Sequence, residues 1–211
     1  MELYSIDWSP FVRKVRIAAI ERGIESNIKL ITANIGFADK TLKRTKSNLT
    51  NFNPSGRVPT LITDDGQSIY DSTVIVHYLD TIGDKAHVIP NDNYKKVICL
   101  KFNTLVDEVI DSLRHISLEN RREEKIRLPN WLEALDEKVR KGIEVIENDI
   151  DFLSKSSTQI LNLADISIII LMGTIKRNPS SIYDIFSDKL NNWYNEMHER
   201  KSVINTKPPK L

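Results

Sequence analysis

Three short runs place groups that could do chemistry beside the start of a helix. In Asp7-Trp8-Ser9-Pro10-Phe11-Val12-Arg13-Lys14-Val15-Arg16, Ser9 and Pro10 fall at the expected junction of a first strand and a first helix. Backbone N–H groups without intrahelical partners and the positive end of the helix dipole gather there, so the junction can hold an anion. The Ser9 hydroxyl can hydrogen-bond a thiolate or an oxyanion without becoming charged, or it can simply cap the helix. At Val58-Pro59 a proline opens a strand, which is tolerated particularly after a cis bond. The N–H and C=O of Val58 are then free to pair with an extended peptide like an added strand. Asp71-Ser72 open another helix, either as an anion site or as a plain N-cap pair. No Ser-His-Asp set is evident, so Ser9 is not read as a nucleophile.

These groups need elements to position them. Leu3 to Ile6 is β-compatible, and Phe11 to Arg22 reads as an amphipathic helix ended by Gly23. Asn27 to Thr32 reads as a second strand, which makes a right-handed βαβ unit. A polar stretch from Ala33 to Asn53 follows, with a possible short helix near Lys43 to Leu49. Asn53-Pro54-Ser55-Gly56 is turn chemistry. Val58 to Thr63 and Gln67 to Tyr70 form a hairpin through Asp64-Asp65-Gly66. The helix after Asp71 carries Val74, Ile75, Tyr78, Leu79 and Ile82 as its expected apolar face and ends at Gly83.

Beyond Gly83 the pattern is helical. Residues 83–92 read as a linker. From Asn93, Ile98, Phe102, Leu105, Val109, Leu113 and Ile116 repeat at helical spacing, as do Leu132 to Leu153. Asn162-Leu163-Ala164-Asp165 is a capping-box variant opening an almost wholly apolar helix through Met172, which belongs in a domain centre. A last helix runs from about Asp188 to Glu199.

Composition narrows the classes. The chain has 211 residues, 40% hydrophobic and 28% charged, with a net charge of +1. That balance gives no reason to expect nucleic acid or a membrane surface. One cysteine, Cys99, excludes an intramolecular disulfide, a CxxC pair and a Cys-based zinc site. The histidines His77, His87, His115 and His198 lack metal-ligand spacing, so no metal is expected. The start Met-Glu-Leu-Tyr-Ser has no basic n-region or apolar h-region, and a cytoplasmic protein is expected.

The β-α-β/β-β-α order, the linker and the helical remainder together resemble the cytosolic glutathione transferases. Ser9-Pro10-Phe11 with Val12-Arg13-Lys14-Val15-Arg16 is similar to the start of a serine-type bacterial member. Asn53-Pro54-Ser55-Gly56-Arg57-Val58-Pro59 resembles the family's turn into a cis-proline. Tyr70-Asp71-Ser72, Asn162-Leu163-Ala164-Asp165, Trp193-Tyr194 and Thr206-Lys207-Pro208-Pro209 also sit where that family has related motifs. Asp71 stands where Glu is commoner, and the segment from Ile31 to Asn53 is long and rich in Lys and Thr.

The resemblance implies an α/β thioredoxin-like domain at 1–82 with a mixed four-stranded sheet, and an all-α domain at 93–211. It implies glutathione as co-substrate, a small hydrophobic electrophile, a detoxifying reaction and a homodimer. Ser9 would stabilise the glutathione thiolate, with Tyr4 and Ser5 as rivals for that role. Val58 before Pro59 would pair with the cysteinyl backbone. Ser72 would hold the γ-glutamyl carboxylate and Asp71 its ammonium. Lys40, Lys43, Arg44, Lys46 and Arg57 are candidates for the glycyl carboxylate. Trp8, Phe11 and Phe102 are candidates for the second-substrate pocket. Asn103 and Asp107 could reach the glutathione amine across a dimer cleft. Other glutathione-dependent reactions (isomerisation, dehalogenation, ether cleavage, peroxide reduction) and a non-catalytic interaction module are the alternatives. Disulfide exchange is disfavoured, because a serine cannot form the mixed disulfide.

Overall fold

The computed structural model describes residues 1–35, 48–153, 159–178 and 181–209. Four short strands form one mixed sheet in the order β2-β1-β3-β4. They are β1 (Glu2–Ser5), β2 (Lys29–Thr32), β3 (Thr60–Ile62) and β4 (Ser68–Ile69). β1 runs parallel to β2, with Leu3 opposite Leu30, and antiparallel to β3, with Leu3 opposite Leu61. The parallel pair requires a crossover, which α1 (Pro10–Glu21) supplies. The Asp64-Asp65-Gly66 turn takes a positive φ at Gly66, as a tight hairpin between β3 and β4 demands. This is a thioredoxin-like arrangement.

Helix α2 (Ser72–Ile82) packs on α1. Its buried face is Ile75, Val76 and Leu79, with Ser72 and Asp80. The expected face is therefore rotated: Val74 and Ile82 are exposed, and Val76 points in. The cause is a polar anchor. Asp80 meets the buried Arg22 at 3.3 Å and accepts the Val88 N–H at 2.8 Å, which turns that side of the helix inward.

The remaining long elements are all helices: α3 (Asn93–Asn120), α4 (Pro129–Asn148), α5 (Leu163–Lys176), α6 (Asp188–Met197) and α7 (Lys201–Asn205). The last expected helix forms as α6, and the Met197 to Arg200 turn separates it from the short α7, which lies beyond the expected helix. α5 is buried over nearly its whole circumference and packs against α1 and α3. Its N-terminus is closed by the full capping box. Asn162 accepts the Ala164 and Asp165 N–H groups at 2.8 and 3.1 Å, and Asp165 accepts the Asn162 N–H at 2.9 Å. No helix of the described residues is long and apolar enough to cross a membrane.

Cys99 lies on α3 under this capped end, where its sulfur accepts the Ala164 N–H at 3.3 Å. Burial pushes its thiol up to about 11. Alkylation by iodoacetamide at about pH 8 is expected to be roughly 100-fold slower in the native protein than in denaturant, because the thiolate is the reactive form. Mass spectrometry of timed aliquots reads this directly.

Candidate functional site

Ser9 caps α1 as expected. The turn after β1 is closed by the Ser9 N–H donating to the Ile6 carbonyl at 3.1 Å, and Ser9 accepts the Val12 N–H on its hydroxyl oxygen at 3.3 Å. The hydroxyl proton has no acceptor among the described residues, so it remains available to an anion. Ser9 lines a cleft of about 1380 Å³ between the sheet domain and the helical domain. The rivals lie elsewhere. Tyr4 packs on the Phe52 ring at 5.3 Å, and the buried Ser5 donates to the Ile31 carbonyl at 3.4 Å. Neither lines the cleft.

The second wall is the turn before β3. Asn53 organises it: its amide donates to the Arg57 carbonyl at 3.1 Å and to the Thr60 hydroxyl at 3.0 Å. Its carbonyl oxygen accepts the Ser55 N–H and hydroxyl at 2.9 and 2.7 Å. Gly56 takes a positive φ within this turn. The Val58–Pro59 bond is cis. Neither the N–H nor the C=O of Val58 meets a partner among the described residues, and both Val58 and Pro59 line the cleft. Arg57 is 58% exposed and reaches Asp111 of α3 at 3.5 Å. The candidates Lys40, Lys43, Arg44 and Lys46 lie outside the described residues.

The third wall is the head of α2. Asp71 is its N-cap and accepts the Thr73 and Val74 N–H groups at 2.9 and 3.4 Å. Ser72 is the first helical residue, buried, and at the cleft surface. The bond between Tyr70 and Asp71 is also cis.

Helix α3 closes the cleft from the helical side. Asp107 lines it and is 24% exposed, paired on its inner side with the fully buried ammonium of Lys14. Burial holds the Lys14 amine below its ordinary value and the Asp107 carboxyl above its own, with the facing Lys14 charge opposing the latter. Asn103 lies one turn before Asp107 on α3. It is buried in this chain, accepting from Lys14 at 2.7 Å and Ser167 at 3.0 Å and donating to Thr73 at 3.0 Å. The polar end of its side chain is consumed by joining α1, α2, α3 and α5.

The outer half of the cleft is lined by Trp8, Phe11, Ile110, Leu113, Ile116 and Tyr183. Trp8 is 57% exposed. Phe102 is not a pocket residue but takes the core place that its position in the apolar repeat of α3 offered: it is 1% exposed, stacks on Phe152 at 5.8 Å and does not line the cleft. Tyr183 is pushed up to about 12, first by burial and then by its hydrogen bond to Asp136, so it stays a neutral donor.

Residues 8–82 match the family model described as glutathione S-transferase, N-terminal domain. This stretch is therefore similar to a glutathione S-transferase N-terminal domain. A glutathione transferase family member from Pseudomonas fluorescens Pf-5, solved with bound glutathione, is similar over 99% of this chain and 98% of its own. Its TM-score is 0.85 at 27% identity. A glutathione S-transferase from Methylobacillus flagellatus KT with glutathione bound has a TM-score of 0.80 at 29% identity, covering 99% of both chains. Of the curated proteins, the uncharacterized GST-like protein YibF of Escherichia coli K12 is 26% identical over all of both chains. Together these likenesses support a member of the glutathione S-transferase family.

The N-terminal domain thus contributes Ser9, Val58, Asp71 and Ser72 to the cleft, and α3 contributes Asp107 and Asp111. Two organising residues escaped the sequence reading. Lys14 stood within the Ser9-to-Arg16 run without a role of its own. Asn53 looked like generic turn chemistry, although an Asn before Pro-Ser-Gly is a signal for side-chain bonding to the following backbone.

Proposed function

We propose that this chain is a glutathione transferase that activates the thiol of reduced glutathione for attack on a hydrophobic electrophile. The observation that carries the reading is convergence: an uncommitted Ser9 hydroxyl, the unpaired backbone of Val58 and the head of α2 meet in one cleft. The glutathione-bound neighbours support it. In this reading Val58 pairs with the cysteinyl backbone, Ser72 takes the γ-glutamyl carboxylate at a helix N-terminus, and Asp71 and Asp107 face the ammonium. Arg57 stands toward the glycyl carboxylate, held by Asp111.

The thiol then lies beside Ser9. An ordinary thiol has a pKa near 8.5, and lowering it by about two units requires roughly 2.7 kcal/mol. A hydrogen bond to a charged group contributes about 1.5–3 kcal/mol and a helix end about 0.3–1 kcal/mol. The two together are of the required size. The proton leaves the thiol for solvent. The sulfur lone pair then forms the C–S bond, and the electrophile's leaving group departs with its electron pair. Trp8, Phe11 and the apolar side chains of α3 receive the electrophile. A homodimer in the cytoplasm completes the reading, a second copy covering exposed apolar side chains such as Val74 and Ile82 of α2.

Calorimetric titration of reduced glutathione into the wild-type protein at neutral pH, with ultraviolet absorbance of the thiolate followed in parallel, tests this. Binding with thiolate formation is expected. Absence of binding at millimolar glutathione would overturn the assignment and leave the interaction module as the better reading.

A further inference from the structure

Among the buried charges the mechanism above does not use is one that reaches across to a cleft residue. Lys14 of α1 is 0% exposed, yet it does not serve the sheet or the core around it. Its ammonium donates to Asn103 at 2.7 Å and to Asp107, both on α3 and both from the other domain. Thr73, two residues after the Asp71 cap, accepts from Asn103 at 3.0 Å and donates to the second Asp107 oxygen at 3.4 Å. One lysine therefore sits behind the only part of this network that reaches the cleft, the Asp107 carboxylate.

We infer that Lys14 is a positioning residue for the amine end of glutathione: its charge keeps Asp107 anionic and oriented toward the cleft beside Asp71. The inference rests on the assignment of glutathione to this cleft. The charged groups around Asp107 are Lys14 from α1, Asp71 from the head of α2 and Asp111 one turn along α3. Thr73 from α2, Asn103 on α3 and, behind it, Ser167 from α5 are neutral hydrogen-bonding groups. Burial and the Asp71 charge both favour the protonated Asp107 carboxyl, and Lys14 opposes them. Without that charge, Asp107 would take up a proton at a higher pH than it does in the wild type. A neutral Asp107 would no longer favour an ammonium group over an uncharged one.

The test uses two probes, reduced glutathione and N-acetylglutathione, whose blocked amine carries no charge. Binding of each is measured by calorimetry between about pH 5.5 and about pH 6.5, below the range where a free α-amino group deprotonates. The wild type is expected to prefer glutathione by about 10-fold or more across this range. Lys14→Gln retains a donor for Asn103 and Asp107 but not the charge. Its preference is expected to fall below that of the wild type, most at the acid end, with the remainder held by Asp71, and to recover as the pH rises, while Lys14→Arg behaves as the wild type. Four results would overturn the inference: a flat, wild-type preference in Lys14→Gln, an equal loss of both probes in it, a Lys14→Arg that fails to restore the preference, or a wild type that binds both probes alike. A wild type that binds neither probe would remove the glutathione assignment itself, which keeps the two failures distinct. Should Lys14→Gln not fold, Asp107→Asn decides, because it is expected to lower the preference equally at every pH while keeping affinity for N-acetylglutathione.

Discussion

Ser9→Ala is expected to lower the turnover of glutathione conjugation at neutral pH by about 10- to 150-fold, with little change in glutathione affinity. The range is the rate equivalent of losing a hydrogen bond to a charged sulfur, about 1.5–3 kcal/mol. The affinity is retained because Val58, Asp71 and Ser72 hold the peptide away from the thiol. The sign with pH follows from the chemistry. Removing the donor raises the pKa of the bound thiol, so the pH–rate profile moves to alkaline pH by about one to two units and activity recovers there. Ser9 also caps α1 through the Val12 N–H, so the same substitution is expected to destabilise the fold by about 0.5–2 kcal/mol. Denaturant titration separates that loss from the catalytic one. Ser9→Thr keeps both the cap and the donor and is expected to restore the wild-type profile. A Ser9→Ala protein with wild-type turnover throughout the neutral range would reduce the residue to a cap.

Phe102→Ala is expected to cost about 3–5 kcal/mol of stability and to leave the KM for electrophiles unchanged at a temperature where the variant is folded. The ring is buried, stacks on Phe152 at 5.8 Å and lies under the Lys101 ammonium at 4.7 Å. Truncation removes an aromatic side chain from between α3 and the segment after α4, and those elements cannot collapse fully into the space. The urea midpoint should fall while the slope of the transition is preserved. A changed KM with unchanged stability would instead return Phe102 to the second-substrate pocket. The contrast with Trp8 is geometric, since that ring is exposed at the cleft mouth.

What the sequence by itself determined were the features written in local chemistry. The Ser9-Pro10 start, the Asp-Gly hairpin and the Asn162–Asp165 capping box each depend on residues within four positions of one another, and each forms as read. The order of strands and helices followed from periodicity, and the thioredoxin-like sheet from the family resemblance that this order and its motifs carry. The rotation of helices about their own axes was not legible. In an α-helix each residue turns the side chain by about 100°, so a shift of one position changes the neighbour it meets. Thus Val76 and not Val74 faces inward on α2, because Asp80 is anchored to Arg22. On α3, Phe102 enters the core, Asn103 enters the junction with α1, α2 and α5, and Asp107 reaches the cleft. A single apolar stripe cannot say which of three packed partners each side chain will meet. Lys14 and Asp107 lie 93 positions apart in the chain. Only the tertiary structure brings them together, because the cost of burying that lysine is offset solely where a carboxylate from the other domain arrives to face it.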